Sequence, residues 1–244
     1  MKAFCLAAGH GTRLKPITDT VPKCLVPIRG KPLLGIWLDI FERYGITDVL
    51  INIHSHADIV RTFLAKQHST VNVIVSEEEE LLGSAGTLRA HRDWICEGND
   101  RIGKNSKAID SFWIFYADVL NAIDLNAMLA FHQRQASGSA LATLGLYRVP
   151  DPKRCGVVEL DTNQLIVGFE EKPQQPKSDL AFSGIMLGTP AVLDLIPPEI
   201  ATPDIGFHLL PRLVGRMYGY TVREYLIDIG TMQNYERAQR EWKG

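Results

Sequence analysis

The residues whose types and spacing could do chemistry are densest in a glycine-rich, basic segment near the start of the chain. An apolar run over residues 3–8 is followed by Gly9, Gly11, Arg13 and Lys15. Glycines let backbone N–H groups approach a phosphate closely, and arginine and lysine add positive charge at the same point. The segment therefore predicts a phosphate-binding loop that follows a buried strand.

The spacing of this loop differs from two common nucleotide-binding motifs. Leu14 stands where a dinucleotide-binding fingerprint has its third glycine. The loop also lacks the Gly-Lys-Ser/Thr sequence that ends a Walker A motif. Lys23 and Arg29 add two further cations to the segment. A phosphate site and a glycine turn with solvated basic residues are both open at this point.

Two aspartates, Asp118 and Asp228, each follow a strand-like run. An α/β sheet binds ligands at the carboxyl ends of its strands. Magnesium is commonly held there by one or two carboxylates together with substrate phosphates and water. A lone aspartate is more often a turn residue or a helix cap, and we interpret Asp110 and Asp124 in these two ways. The residues alone leave both interpretations open for Asp118 and Asp228.

Other polar and aromatic features have ordinary structural interpretations. His54 and His56 lie at a strand-to-helix junction with no third ligand nearby in sequence, which favours a surface or capping role. The glutamates at 77–80 are interpreted as a solvated stretch from which one carboxylate can reach a base edge. Trp37 and Phe41 have helical spacing and predict core positions.

Composition limits the classes of function. The 26 Lys and Arg residues and the 28 Asp and Glu residues give a net charge of −2, which supplies no global field for nucleic acid or an anionic membrane. Hydrophobic residues make up 45% of the chain, enough for a sizeable core. The run at residues 3–8 is too short for a membrane span or a signal-peptide core. The four cysteines form no closely spaced pair, which favours reduced thiols in a cytoplasm.

Strand-like and helix-like segments alternate in the first half of the chain and are mixed in the second. Predicted strands cover residues 3–8, 48–53, 71–75, 111–116, 140–147, 157–160, 165–169, 182–187 and 222–226. Predicted helices cover residues 32–44, 58–66, 124–135, 190–195, 208–217 and 231–242. The alternation predicts a Rossmann-like three-layer α/β/α fold with a mixed, mainly parallel central sheet.

The domain prediction is a single domain over residues 1–244. Its nucleotide-binding half extends to about residue 115, and its second half covers about 116–244. The polar, glycine-bearing segment at 97–107 predicts a surface loop.

The basic loop extends into a longer pattern over residues 11–34. This pattern closely resembles the signature of sugar-1-phosphate nucleotidylyltransferases, roughly GxGTRLxPxT…PKxLxPxxxKPxL. The resemblance continues in order through five further segments: the base-recognition segment at 79–88, the strand-end aspartate at 116–120, an RYGVVE-like stretch at 154–159, the EKP motif at 169–173 and a DIGTPxxY-like stretch at 228–235. The resemblance therefore spans almost the whole chain.

The resemblance implies a reaction in which a sugar 1-phosphate oxygen attacks the α-phosphorus of an NTP and pyrophosphate is released. It implies Arg13 and Lys23 as the catalytic cations, Arg13 on the nucleotide phosphates and Lys23 between the α-phosphate and the sugar phosphate. It also changes the interpretation of Asp118 and Asp228, which become the expected ligands of Mg²⁺. The expected partners are the two small-molecule substrates, without nucleic acid or membrane, and a homodimer remains open.

The resemblance also implies two binding sets. The implied nucleotide-binding residues are Leu6, Ala8, Gly9, Gly11, Thr12, Glu80, Gly83, Ala85 and Gly86. The implied sugar-phosphate-binding residues are Gly156, Glu171, Lys172, Phe182 and Ser183. Among these, Lys172 is expected to hold the sugar phosphate and Glu171 a sugar hydroxyl. The second half of the chain is accordingly the expected sugar-phosphate-binding half.

Departures from the family pattern bear on substrate choice. Leu81 stands where pyrimidine-using relatives often carry Gln, and EEELLGSAG resembles the EEEPLGTAG form of mannose-1-phosphate guanylyltransferases, which favours GTP. Phe182, Cys155 and Ala117 replace Asn, Tyr and Gly of many relatives. These departures argue against ordinary mannose and leave a heptose, glucose or another sugar open.

Three alternatives stay in view. One is a uridylyl- or thymidylyltransferase for glucose 1-phosphate or an amino-sugar phosphate. Another is a cytidylyltransferase of alditol or isoprenoid metabolism, against which the EKP and DIGT motifs argue. The third is a non-catalytic nucleotide-sugar-sensing subunit, which loss of Arg13, Lys23, Asp118 or Lys172 would have indicated; all four are present. No hexapeptide-repeat extension follows the last predicted helix, so we expect a bare catalytic core.

Overall fold

The structure, a computed structural model, describes residues 1–97, 111–136 and 140–244. The predicted surface loop lies outside these ranges from residue 98 onward, as does Asp110. The described chain forms two compact units. The first comprises Met1–Leu81, Phe115–Ile123 and Glu224–Gly244, and the second comprises Leu82–Ile114 and Asp124–Arg223. The assignment of nucleotide and sugar phosphate to the two sequence halves stays a prediction.

The elements follow the predicted order closely. The strands are β1 (Lys2–Leu6), β2 (Pro27–Ile28), β3 (Lys31–Pro32), β4 (Asp48–Ile53), β5 (Asn72–Glu77), β6 (Phe112–Tyr116), β7 (Val119–Asn121), β8 (Ala142–Arg148), β9 (Gly156–Leu160), β10 (Ile166–Glu171), β11 (Leu180–Gly188), β12 (Met217–Thr221) and β13 (Leu226–Asp228). The helices are α1 (Leu33–Arg43), α2 (Ala57–Ala65), α3 (Ser84–Ala90), α4 (Arg92–Cys96), α5 (Leu125–Ala136), α6 (Leu210–Leu213) and α7 (Met232–Glu241). Within the described residues, none of these helices is long and apolar enough to cross a lipid bilayer.

In the sheet of the first unit, β1, β4 and β5 lie side by side in this order. β1 pairs with β4 in parallel, with Phe4 opposite Leu50, and β4 pairs with β5 in parallel, with Leu50 opposite Ile74. β1 and β4 are nearly continuous buried apolar runs, as expected for parallel strands covered on both faces. Parallel pairing brings the carboxyl ends of these strands to one edge of the sheet.

Helix α1 packs its apolar face into the core of the first unit. Trp37 and Phe41 are fully buried, with ring centroids 5.4 Å apart, and Phe115 lies 4.9 Å from Trp37. Aromatic pairs at such distances add stabilisation beyond their buried area. The helix ends at Arg43, Gly45 follows with a φ of +65° that is favourable for glycine, and Ile46 N donates to the Phe41 carbonyl oxygen. The predicted core positions of Trp37 and Phe41 are confirmed.

The sheet of the second unit is mixed. β9 and β10 form an antiparallel pair, and β8 lies between antiparallel β11 and parallel β12. The register of β11 against β8 shifts between Phe182 and Met186, where Gly184 has a φ of +81°. The predicted fold class is confirmed: the chain has a Rossmann-like α/β fold with a mixed, mainly parallel central sheet.

Near the carboxyl end, one predicted helix is shifted towards the start of the chain and one predicted strand is wrong. The helix predicted over residues 208–217 is a short turn at Ile205–Leu209 followed by α6, and Gly215 with a φ of +80° ends the helical path. The strand predicted over residues 222–226 is absent, because β12 ends at Thr221 and the next strand, β13, begins at Leu226. The reason is that burial alternates along this segment: Met217 and Gly219 are buried, and the tyrosines that follow each of them are less buried. Such alternation is typical of a strand, and this strand pairs with β8.

A buried histidine links α5 to β8. His132 is 1% exposed, and its ring nitrogens lie 2.9 Å from the Thr143 hydroxyl and 2.7 Å from the Ser111 hydroxyl. Burial lowers the pKa of His132 to about 4, because the protonated ring would lose its hydration. His132 is therefore a neutral hydrogen-bonding residue of the folded chain at neutral pH.

We expect the free energy of unfolding to fall as the pH drops from about 6.5 to about 4. The unfolded chain protonates His132 first in this range, so the native state is fully favoured above pH 6.5 and loses stability below it. The loss approaches about 3 kcal/mol as an upper limit. Urea unfolding at pH 7.5 and 4.5 measures it, and His132→Gln should flatten the dependence.

His68→Gln is the matched control because His68 is exposed. It should keep the wild-type pH dependence. Equal pH dependence in the wild type and in His132→Gln would contradict this assignment.

Candidate active site

The predicted phosphate loop folds back on itself directly after β1. Gly11 has a φ of +66°, and its carbonyl oxygen accepts hydrogen bonds from Leu14 N at 2.9 Å and the Thr18 hydroxyl at 2.8 Å. A Cβ at position 11 would lie 3.0 Å from Cβ of Lys23, so glycine lets the lysine stem pack there. No described atom lies within 4 Å of a Cβ built on Gly9, which leaves that side of the turn open.

Strands β7 and β13 hold two aspartates side by side. The strands are antiparallel with Asp228 opposite Val119, and Ile229 N donates to the Asp118 carbonyl oxygen at 2.8 Å. Nζ of Lys23 forms an ion pair with the Asp118 carboxylate, and the lysine side chain is only 11% exposed. Two aspartates that are 110 positions apart in the chain are thus joined to the phosphate loop.

The Asp228 carboxylate is electrostatically unfavourable in this setting. Burial raises its pKa to about 6, and the Asp118 charge acts in the same direction, while Lys23 and Arg13 oppose the shift. Its Oδ1 atom is buried and has no hydrogen-bond partner among the described residues. A Cβ at Gly230 would lie 2.7 Å from this Oδ1 and 3.0 Å from Nη2 of Arg13, so the glycine gives both charged groups room.

These residues fit a magnesium ion whose coordination is completed by substrate. Carboxylate oxygens are the hard ligands that Mg²⁺ prefers, and the ion usually keeps waters and substrate phosphates in its remaining positions. A buried oxygen without a partner, on Asp228, is available as a ligand. No group of three or more His, Cys, Asp or Glu side chains suited to a metal occurs in the part of the chain that the structure describes. The fit is therefore to Mg²⁺ bound together with phosphate.

Two further cations of the basic segment have other partners. Lys15 pairs with Asp19 at 3.0 Å on the exposed side of the loop. Arg29 donates from its backbone N to Oε1 of Gln239 at 2.8 Å and from its guanidinium to the Trp242 carbonyl oxygen at 2.9 Å. Arg13 and Lys23 are the cations of this segment that act on the Asp228 carboxylate.

In the acidic run, Glu78 rather than Glu80 is buried. Glu80 is exposed, whereas Glu78 is 4% exposed and accepts a hydrogen bond from Nδ2 of Asn52 at 2.8 Å. Oδ1 of Asn52 accepts from Ala7 N at 2.7 Å. Nδ1 of His54 lies 2.7 Å from the Glu78 carbonyl oxygen and therefore carries the proton. A polar network thus joins the ends of β1, β4 and β5.

The remaining predicted nucleotide residues of the first unit lie along the same turn. Leu6 ends β1, Ala8 is buried, and Thr12 is exposed at the start of a short 3-10 turn. Their contacts with a nucleotide stay a prediction. His56 occupies the N-cap position of α2 with a φ of +56°, but its side chain makes no capping hydrogen bond, so a capping role for the histidine pair stays a prediction.

In the second unit, Glu171 and Lys172 lie at the end of β10. The Glu171 side chain is 16% exposed, and its Oε1 is 3.8 Å from Nζ of Lys172. A Cβ at Gly156, directly opposite in β9, would lie 2.6 Å from Oε2 of Glu171, and a Cβ at Gly206 would lie 2.5 Å from it. Burial raises the pKa of Glu171, which Lys172 opposes and Asp204 reinforces. Two glycines therefore make room for one partly desolvated carboxylate.

The turn at Ile205–Leu209 brings further groups to this carboxylate. Asp204 caps the turn by accepting from Phe207 N at 3.0 Å, and its other oxygen accepts from the Ser84 hydroxyl at 2.8 Å. Nζ of Lys172 lies 5.1 Å from the centre of the Phe207 ring, which is 50% exposed. A cation above an aromatic face is favourable. The lysine is therefore held between a carboxylate and an aromatic ring.

The predicted base segment packs against its own unit at the start of α3. Ala85 N and Gly86 N both donate to the Pro203 carbonyl oxygen, at 3.0 and 3.1 Å. Gly83 has a φ of +79°, and a Cβ there would lie 2.5 Å from the same oxygen. The N–H groups of Ala85 and Gly86 therefore already have protein partners.

Phe182 and Ser183 lie side by side on β11 but differ in exposure. Phe182 is half-buried and pairs with Leu146 of β8. Ser183 is 3% exposed, and its hydroxyl accepts from Ile185 N at 3.2 Å. The Ser183 hydroxyl thus bonds within β11, and a sugar contact at this residue stays a prediction.

Five polar or aromatic residues of these networks were not predicted as site residues: Asn52, Glu78, Ser84, Asp204 and Phe207. One of four consecutive glutamates is singled out only by the β4–β5 pairing, which sequence does not show. The Asp-x-Gly pattern before an apolar segment at 204–206 was a usable helix-start signal. The predicted helix over residues 208–217 begins after this pattern, so the signal was not used.

A parallel α/β unit that carries two aspartates, a lysine and an arginine near the ends of its strands has charges suited to a phosphorylated ligand and a divalent cation. A comparison with known protein families identifies the family. The sequence model of the family described as nucleotidyl transferase matches residues 2–243. The chain belongs to this family.

Curated relatives include several sugar-1-phosphate nucleotidylyltransferases. The chain is 30% identical over 241 residues to mannose-1-phosphate guanyltransferase of Schizosaccharomyces pombe, covering 96% of this chain and 62% of the relative. It is 31% identical over 257 residues to UTP–glucose-1-phosphate uridylyltransferase of Synechocystis, covering 98% and 63%. The chain thus spans less than two thirds of the length of these relatives.

Solved structures share the fold along the whole chain. A Bacillus anthracis protein assigned as a glucose-1-phosphate thymidylyltransferase, solved with sucrose, has a TM-score of 0.82 at 25% identity and matches 100% of this chain and 97% of that one. HddC from Yersinia pseudotuberculosis with GMP-PN has a TM-score of 0.77 at 22% identity and matches 99% of each chain. These likenesses support the α/β fold.

We expect Asp228→Asn to stabilise the metal-free protein at pH 8 by about 2 kcal/mol, because it removes a buried charge whose pKa is raised. Mg²⁺ added together with an NTP should then raise the Tm of the wild type more than that of the variant. Denaturant and thermal unfolding, with and without Mg²⁺ and the NTP, measure both effects.

Asp118→Asn is the contrasting control. It takes away the ion-pair partner of the largely buried Lys23 and should lower stability. A metal-free Asp228→Asn protein that is less stable than the wild type at pH 8 would contradict the electrostatic account.

Proposed function

We propose that this chain transfers a nucleotidyl group from an NTP to a sugar 1-phosphate and releases pyrophosphate. The carrying observation is the Lys23–Asp118 ion pair beside the buried, unpartnered Asp228 oxygen. Such a cluster suits two anionic substrates and a divalent cation. Membership of the nucleotidyl transferase family and the activities named for its relatives support the same reaction class.

In this reaction, an oxygen of the sugar 1-phosphate forms a bond to the α-phosphorus of the NTP. The bond from that phosphorus to the oxygen bridging to the β-phosphate breaks, and pyrophosphate leaves with the electron pair. Charge neutralisation and in-line positioning supply most of the rate in such transfers. Arg13 neutralises the nucleotide phosphates and the departing pyrophosphate, and Lys23 lies between the α-phosphate and the sugar phosphate.

Asp118 and Asp228 would hold Mg²⁺. When bound, this ion polarises phosphate oxygens and offsets the negative charge that develops on them. Lys23 serves the same charge balance from the protein side, since its ammonium group already faces a carboxylate in the free chain.

Residues of the second unit are proposed to hold the sugar phosphate. Lys172 supplies a cation to the phosphate, and the partly desolvated Glu171 accepts a hydrogen bond from a sugar hydroxyl. The positions that the Lys172 side chain can take are limited by its ion pair with Glu171 and by its contact with the Phe207 ring. The half-exposed Phe207 ring also offers an apolar face to the C–H groups of a sugar.

The best-supported substrates are GTP with mannose 1-phosphate or a related sugar or heptose 1-phosphate. The EEELLGSAG segment and the guanyltransferase of Schizosaccharomyces pombe support this choice. The second candidate is uridylyl or thymidylyl transfer to glucose 1-phosphate. The Synechocystis relative and the Bacillus anthracis structure favour it.

A grid of the four NTPs against mannose, glucose, amino-sugar and heptose 1-phosphates with Mg²⁺ tests the proposal, read by pyrophosphate release. Turnover with at least one pair is expected. In that pair, Lys23→Ala and Asp118→Ala should each lower kcat/KM at least about a hundredfold, because each removes a charge that acts on the transition state.

Lys177→Ala and Asp194→Ala are matched controls, since both residues form exposed ion pairs in the second unit. They should keep wild-type turnover. Wild-type rates in folded Lys23→Ala or Asp118→Ala protein would exclude the site, and no turnover with any pair would favour the nucleotide-sugar-sensing alternative.

Gly156→Ala should raise KM for the sugar 1-phosphate about tenfold and leave KM for the NTP within about twofold. The added methyl group would lie 2.6 Å from Oε2 of Glu171 and 2.7 Å from the Phe169 ring, so the Glu171 carboxylate and this ring must both shift. Gly168→Ala is the control in the same β9–β10 pair, since its methyl group meets only the more exposed Glu159 side chain. Equal KM values for the sugar 1-phosphate in the two variants would argue against Glu171 as a sugar ligand.

A further inference from the structure

At the end of β1, a side chain takes over the role of backbone pairing. Leu6 is the last residue of β1 that pairs with β4, and it lies opposite Asn52. The next backbone group, Ala7 N, donates instead to Oδ1 of Asn52 at 2.7 Å. The other end of the same amide donates to Oε1 of Glu78 at 2.8 Å. Asn52 therefore determines where the chain leaves the sheet.

Glu78 is itself fixed at three points. Its N–H donates to the Ile53 carbonyl oxygen at 2.9 Å, its carbonyl oxygen accepts from the His54 ring at 2.7 Å, and its carboxylate accepts from Asn52. Asn52 and Glu78 are each 4% exposed. A buried carboxylate that lacked such partners would be costly. The anchored Glu78 also fixes the start of the exposed segment that follows it.

The groups that this pair fixes are those expected to meet the nucleotide. Ala7 leads directly into the turn at Ala8 and Gly9, whose outer side is open at Gly9. Glu78 leads into residues 79–81, the first part of the predicted base segment. We infer that Asn52 and Glu78 are positioning residues that hold both segments in the geometry that binds the nucleobase end of the NTP. This inference rests on the proposed function.

Variants that exchange the amide and the carboxylate between positions 52 and 78 distinguish a positioning role from a purely structural one. Asn52→Asp keeps the acceptor for Ala7 N but sets a second carboxylate against Glu78. Glu78→Gln keeps an acceptor for the Asn52 amide. In the double variant, the glutamine amide can donate to the introduced aspartate, which restores the network with one hydrogen bond reversed.

Isothermal titration of the Mg²⁺-loaded chain with an NTP, without the sugar phosphate, provides the test. The NTP is the one with the fastest turnover in the grid, or GTP if none reacts. Asn52→Asp should raise Kd at least about tenfold, and the double variant and Glu78→Gln should remain within about threefold of wild type. In an active protein, KM for the NTP should follow Kd, while kcat and KM for the sugar 1-phosphate stay within about twofold.

Asn72→Asp is the matched control. Asn72 of β5 donates to Asp48 of β4 at 2.9 Å at the exposed, opposite end of the same strand pair, so the substitution makes the same chemical change away from the turn. It should leave Kd unchanged. If Asn52→Asp does not fold, Glu78→Ala replaces it and should weaken binding where Glu78→Gln does not.

The inference is overturned if folded Asn52→Asp binds the NTP as tightly as wild type, or if the double variant remains as weak as Asn52→Asp. Equal Kd values in Glu78→Ala and Glu78→Gln would overturn it in the same way. Because Kd is read without turnover, absence of activity would count against the proposed function and leave this test readable.

Discussion

The site depends on one electrostatic constraint, the confinement of Asp118 and Asp228 next to each other in a partly buried setting. The antiparallel pairing of β7 with β13 keeps the two aspartates next to each other. Burial raises the pKa of Asp228 to about 6. Lys23 and Arg13 offset only part of the negative charge. A protein selected for stability alone would replace such a carboxylate, because a buried charge without a full set of partners is costly. A bound ligand that brings positive charge would offset this cost.

Glycines make the crowded charge positions sterically feasible. Gly11 admits the stem of Lys23, Gly230 leaves room for Asp228 and Arg13, and Gly156 admits a carboxylate in the second unit. At each position, an alanine methyl group would lie 3.0 Å or less from a side-chain atom. Their common effect is to let charged side chains approach backbone closely, so the charges are set before any substrate arrives. Preorganisation of this kind lowers the reorganisation needed at the moment of reaction.

Sequence predicted most of the fold because its elements carry strong local patterns. Strands β1 and β4 are mostly apolar runs, and α1 has apolar spacing with a glycine shortly after its end, so their bounds differ from the prediction by two residues or fewer. The helix predicted over 208–217 and the strand predicted over 222–226 differ from the structure, because the pairing of β12 with β8 decides which residues of this region form a strand. The short Met217–Thr221 strand pairs with β8, which lies some 75 positions earlier in the chain, and this distant pairing is not visible in the local sequence. For the site, motif resemblance named Asp118 and Asp228, but the burial of Glu78 depends on which strands lie side by side.

We propose that Asp118 and Asp228 together hold a divalent cation with the nucleotide phosphates. Anomalous diffraction from crystals grown with Mn²⁺ and a non-hydrolysable NTP tests it most directly, because Mn²⁺ takes the oxygen ligands of Mg²⁺ and can be located independently of the protein atoms. The account predicts an anomalous peak within coordinating distance of both carboxylates and of a phosphate oxygen. A nucleotide-bound crystal whose Mn²⁺ peak touches neither Asp118 nor Asp228 would contradict it.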